Sequence, residues 1–144
     1  MTPPEPLTVH IGVLPERILS PNEVPSRRDR RRVMAKNRLY NATVVELRRL
    51  NYAMRLRIRK WAMVDRRSLI RVEYLYRAHR PPARGLSVYY APVDRDNAQT
   101  ALKAMQDAIA DELGFNDSRI DPHVTFGERS ATDYGVTVTI TFGS

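Results

Sequence analysis

Residues 91–120, APVDRDNAQTALKAMQDAIADELGFNDSRI, hold two aspartates two positions apart, Asp94 and Asp96, then Lys103, and a third aspartate, Asp117, just past Gly114. Carboxylates gathered in one place supply the hard oxygen donors that Mg2+ or Mn2+ take, one or two at a time, with positions left for water and phosphate. An ion held so activates a water and neutralises charge on a phosphodiester under in-line attack. A flexible ammonium beside it reaches the scissile phosphate or the leaving oxygen. Each residue alone has a plainer role. Asp94 and Asp96 near a helix start gain about 0.3–1 kcal/mol each from the helix dipole. Asp117 reads as a turn residue, and Lys103 with Asp107 as an i,i+4 surface pair. The set is informative only in conjunction, and conjunction depends on the elements that position it.

Asp94 follows an expected strand, LSVYYAP (86–92). Asp96 or Asn97 supplies the cap of a helix whose apolar face is Ala98, Ala101, Leu102, Met105, Ala108, Ile109 and Leu113, ended by Gly114. Lys103 lies seven residues past Asp96, two turns along the same face. A helix of about 17 residues rises ~25 Å, so Asp117 rejoins the first two acids only if the chain then runs back beside 86–92. Before this stretch, Leu7–Val13 alternates as a strand, and Pro15, Pro21 and Pro25 make a long loop. From Asp29 to Trp61 a stripe of Tyr40, Val44, Leu47, Met54, Ile58 and Trp61 predicts helix, with Arg48, Arg55 and Arg59 on the solvated side. Asn51 interrupts the stripe and LYNAT can hold a break, so one long helix and two shorter ones both fit. Ser68–His79 predicts a strand that RPPARG turns into a hairpin with 86–92. RIDPHVTF and YGVTVTITF predict two closing strands. The order β-α-β-β-α-β-β implies one α+β (mixed α/β) domain over residues 1–144, with residues 1–6 a tail and helices packed on a largely antiparallel sheet.

The rest of the chain is basic. Residues 1–84 hold 20 Lys and Arg against 7 Asp and Glu, while residues 85–144 hold 4 against 9, giving the whole chain a charge of +8. Such a basic half points to a polyanion, nucleic acid first. An anionic membrane competes less well, because no Trp/Phe/Leu-rich face accompanies the cations. The arginines expected to hold DNA are Arg27, Arg28, Arg30, Arg31 and Arg32, in the loop before the first helix. Tyr89 and Tyr90, near the acids, can stack on a splayed base, but the favoured reading makes one a core residue and the other a dimer or sheet-face residue. With no cysteine in 144 residues, disulfides, thiol nucleophiles and thiolate zinc sites are excluded. MTPPEPLTVHIGVLPER lacks the basic start and apolar run of a signal peptide, and the longest uncharged stretch is too short for a membrane helix. A soluble protein is expected.

DRDN, the lysine and aspartate four apart at Lys103 and Asp107, and a glycine followed by ND before a β-branched residue resemble the RusA family of Holliday junction resolvases, most specifically over residues 94–120. LSPNEVPSRRDR and the GVTVTI strand are similar more loosely. The resemblance implies a homodimer of small mixed α/β subunits that cuts four-way DNA junctions with Mg2+, for which Mn2+ can substitute. It implies no small-molecule cofactor and no membrane, and it places the protein in the cytoplasm of a bacterial host, encoded by phage or prophage. The family's acidic metal ligands fall on Asp94, Asp96 and Asp117, its lysine on Lys103, and its asparagine on Asn97. Two departures stand out. Lys103 is six residues past that asparagine rather than three, and Asn116-Asp117 replaces an adjacent acidic pair. The alternative is a non-catalytic basic nucleic-acid-binding module whose aspartates are helix caps, or an interaction protein whose basic face docks an acidic partner.

Overall fold

Leu7, Val9 and Ile11 alternate with Thr8 and His10, and in the computed structural model of the chain they point inward from strand β1 (Leu7–Ile11). The structure describes residues 1–15, 19, 30–78 and 95–143, the first three of the last segment through their backbone alone. Within these, β1 is followed by α1 (Arg30–Arg48), α2 (Tyr52–Val64), β2 (Ile70–Arg77), α3 (Arg95–Ala101), α4 (Lys103–Leu113), a 3-10 turn (Asp117–Arg119), β3 (Ile120–Phe126) and β4 (Gly135–Phe142). The fold is α+β. Its four strands lie in the order β1-β4-β2-β3. β4 is antiparallel to both β1 and β2, whereas β2 and β3 run parallel, as strands joined through intervening helices do.

One face of the sheet is apolar. Ile70, Val72, Tyr74 and Tyr76 of β2 and Val136, Val138, Ile140 and Phe142 of β4 are buried in one cluster with the helices. Every residue of the expected apolar face from Ala98 to Leu113 is buried as well. The opposite sheet face presents Thr8, His10, Thr137, Thr139, Arg71 and Glu73, the polar half of the same alternation.

Among the first helices one open alternative is decided and two expectations are overturned. The break falls at Asn51, whose Oδ1 accepts a hydrogen bond from the Ala53 N–H (2.8 Å) and caps α2, while LYNAT continues α1 without interruption. The buried line of α1 is Ala35, Leu39, Thr43 and Leu47, one position away from Tyr40 and Val44, which are half-buried. Thr43 is admitted because its hydroxyl donates to Leu39 O (2.8 Å). Met54, placed in the stripe, is exposed. Third, Arg30, Arg31 and Arg32 form the first turn of α1 rather than the loop before it. Arginine is a good helix former and no proline or glycine stands between Asp29 and Asn51 to stop the helix sooner.

The expected helix from Asp96 to Leu113 is also divided, at Leu102 (φ −90°, ψ 5°), although Leu102 N–H to Ala98 O (3.0 Å) and Gln106 N–H to Leu102 O (3.1 Å) carry the bonding across. It starts at Arg95, so Asp96 lies in its first turn instead of preceding it. The first strand stops at Ile11 and the second spans only Ile70–Arg77. Pro4 is buried, so residues 1–6 are not wholly a free tail. Segment 86–92, and with it the expected hairpin, lies outside the described residues. No helix among them is long and apolar enough to cross a membrane.

Candidate functional site

Gly114 turns the chain back at the end of α4. Its φ of 79° lies in the left-handed region, and its N–H bonds to Ala110 O (2.9 Å), the geometry that ends helices. After it, Asn116 caps the 3-10 turn by accepting from Ser118 N–H (2.9 Å), and Asp117 comes to face the start of the helix the chain has just left. There the Lys103 ammonium donates to Asp117 Oδ2 (2.8 Å) and pairs with Asp107 Oδ1 (3.0 Å). Two carboxylates and an ammonium, spread over fifteen residues of sequence, share one point.

Each group holds the other charged. The hydrogen bond to Asp117, helped by Asp107, raises the Lys103 ammonium above the usual lysine value against partial desolvation. The same bond holds the Asp117 carboxyl below the usual aspartate value.

This triad lines a cavity of about 730 Å3 between α1 and α4. Arg32, Lys36, Asn37 and Tyr40 of α1 face Lys103, Asp107 and Asp111 of α4, with Asn116 and Asp117 closing in beside them. A basic wall thus meets an acidic one. Tyr40 spans the two through its hydroxyl, which donates to Asp111 Oδ2 (2.7 Å), and that bond raises the phenol's pKa. At the far end of α4, the Glu112 carboxylate accepts from Arg48 Nη2 (3.1 Å) and Nε (3.3 Å), and its carbonyl accepts from Arg59 (2.9 Å). Cations at a helix C-terminus offset its exposed carbonyls.

Arg119, two residues past Asp117 in the same 3-10 turn, anchors that turn. The Arg119 guanidinium donates to Ala62 O (2.8 Å) and Ser68 O (3.0 Å) and lies 5.4 Å over the Trp61 ring. It thereby ties the turn after α2 to the turn that carries Asp117. Asp65 orders that partner turn, accepting from the Ser68 hydroxyl (2.7 Å) and from the Ser68 and Arg67 N–H groups. The Ser68 bonds lower its pKa.

Of the sequence-predicted set, Lys103 and Asp117 are in contact, and Arg32 lines the same cavity, whereas Arg30 and Arg31 are not among its lining residues. The Asp96 backbone is in α3, while its side chain, Asn97's side chain, and the whole of Asp94, Arg27, Arg28, Tyr89 and Tyr90 lie outside the described residues. Among the described residues no group of three or more histidines and carboxylates converges as a metal would need. Sequence reasoning passed over Asp111, Lys36, Tyr40 as an acid partner, and Arg119. The 103-107-111 spacing is one helix face and was readable. Arg119 gives no periodic signal, since its contacts are to backbone carbonyls more than fifty residues away.

The chain matches no protein-family model, and a search of curated proteins returned no significant match.

Proposed function

We propose that the protein is a Mg2+-dependent, structure-selective endodeoxyribonuclease that resolves four-way DNA junctions by paired phosphodiester hydrolysis, acting as a homodimer in the cytoplasm of a bacterial host as a phage or prophage product. The observation that carries the reading is the meeting of Lys103 with Asp117 at 2.8 Å, in a cavity faced by Arg32 and Lys36. The resemblance of residues 94–120 to RusA resolvases supplies the reaction.

Carboxylates are the donors a hard divalent ion takes. Asp117 and Asp107 already converge on one cationic centre, the Lys103 ammonium, and carboxylate oxygens with room for water are what Mg2+ takes. Asp94, Asp96 and Asp117 are the residues assigned to hold it. When bound, it would lower the pKa of a water and offset charge on the phosphate. Lys103, at the edge of the same cavity, would face the developing charge on the phosphate or the leaving oxygen. Arg32 and Lys36 hold the strand by its phosphates across from the acids.

The test is cleavage of a synthetic four-way junction with and without Mg2+, alongside junction binding, for the wild type, Asp96→Asn and Asp117→Asn. The expected outcome is cutting by the wild type only with metal, loss of cutting in both variants, and retained binding. A variant that cuts as the wild type does removes its residue from the site. One observation favours a second reading, the non-catalytic binding module: Lys103 already satisfies both described carboxylates as an ordinary ion-pair cluster. That reading predicts salt-sensitive binding and no product under any condition.

A further inference from the structure

Helix α2 carries Arg55, Arg57, Arg59 and Lys60, and not one acid in 13 residues. Its inner side is committed to the core through Ile58, Trp61 and Ala62, and Arg59 is engaged at the end of α4. The outer side is open. Tyr52 and Met63 are each 69% exposed and Leu56 38%. Spaced i, i+4 and i+11, these three fall along one line, with Lys60 at i+8 in the same line and Arg57 beside it. Among the described residues Arg57, Lys60 and, just past the helix, Arg67 make no side-chain hydrogen bond or ion pair. The Arg55 guanidinium lies 5.6 Å over the Tyr52 ring.

Cations without acids call for a polyanion, and the residues between them select which kind. A paired duplex would engage Arg57 and Lys60 through phosphates and leave Tyr52, Leu56 and Met63 in water. An unpaired strand uses both sets. Its phosphates meet the cations while its bases stack on the aromatic ring, and apolar side chains insert where bases have come unstacked. A lipid surface fits less well, because Lys60 interrupts the apolar line instead of flanking it. A second copy of this face fits worst, since it would set cations against cations with no acid between them.

We propose that the outer face of α2 binds an unpaired stretch of nucleic acid, with phosphates on Arg57, Lys60 and Arg67 and a base on Tyr52. This rests on the nucleic-acid reading above and extends it to residues other than the arginines assigned there. For a structure-selective enzyme, such a surface would hold a strand splayed at a branch point.

The test measures binding of the full chain to a labelled oligothymidylate of about 16 nucleotides, to a blunt duplex, and to vesicles of equal parts phosphatidylserine and phosphatidylcholine, over a range of salt. Tyr52→Ala should weaken oligothymidylate binding about tenfold and duplex binding little, with Tyr52→Phe restoring it. Arg57→Gln with Lys60→Gln should make the salt slope on the single strand shallower by about 1.4. Thermal melts of each variant show whether it is folded. If the wild type binds the oligonucleotide and all three variants match it in affinity and slope, the α2 surface is wrong and the nucleic-acid reading stands. If the wild type binds no nucleic acid, whether or not it binds vesicles, that reading falls and takes this one with it.

Discussion

Lys103 makes both of its ion pairs from a position more than half exposed, which limits what they add to stability. Their direction with pH is nonetheless fixed. Asp117 is depressed in the folded state, so its contribution is present above the unfolded aspartate value and is lost as pH falls through the folded one. Lys103 is raised, so its contribution is present below the unfolded lysine value and fades as pH rises beyond it. Melting temperatures of the wild type and Asp117→Asn, measured from about pH 6 down to about pH 3, test the acid side. The expected outcome is a smaller loss in the variant, which has no carboxylate there to protonate. Parallel curves would mean that the 2.8 Å contact does not persist in solution.

At the scale of elements, the groove exists because α4 ends at Gly114 and the chain doubles back. An alanine at this position would have to hold φ near 79°, and its Cβ would lie 2.8 Å from Arg59 Cγ. The left-handed conformation alone costs a non-glycine residue about 1–2 kcal/mol. Gly114→Ala should therefore lower stability by about that amount or more, and denaturant unfolding would measure it; a neutral result would remove the strain argument. This glycine, the apolar face before it, and the closing strand Gly135–Phe142 were all legible in the sequence, because period and punctuation are local properties. The α1 stripe was read one position off, since Tyr40 and Val44 are apolar enough to pass for core while Thr43 is not. Thr43 is buried only because its hydroxyl bonds back to its own helix. The Lys103–Asp117 contact was suggested by type and spacing alone; its geometry depends on the reversal at Gly114 and on Arg119 gripping the Ala62 and Ser68 carbonyls. Contacts of that kind join distant segments and leave no periodic trace.

At the scale of the whole molecule, the proposed junction cutting calls for two nicks, which one groove could make only in succession. Two opposed strands must be nicked, and each subunit offers one groove with one Lys103–Asp117 pair. The proposed two-fold dimer would make the two nicks together, and the charge distribution constrains where its axis would pass. An isologous interface sets each patch against its own copy. From residue 30 to residue 67 the chain carries 13 Lys and Arg against 2 acids, so an interface built on α1 and α2 would be repulsive. The two-fold should therefore leave these helices outward, both available to DNA. Two consequences follow together. Raising salt should weaken junction binding steeply, by about 0.9 in log–log slope for each phosphate neutralised, while leaving self-association little changed. Lowering protein concentration should uncouple the two cuts. On a supercoiled plasmid bearing a cruciform, the expected product is linear DNA when the dimer is populated. It should shift to nicked circles as dilution dissociates the dimer, followed in parallel by sedimentation. A linear-to-nicked ratio that stays constant while the sedimenting species changes from dimer to monomer would mean that paired cutting does not need two subunits. The single groove between α1 and α4 would then have to make both nicks in succession.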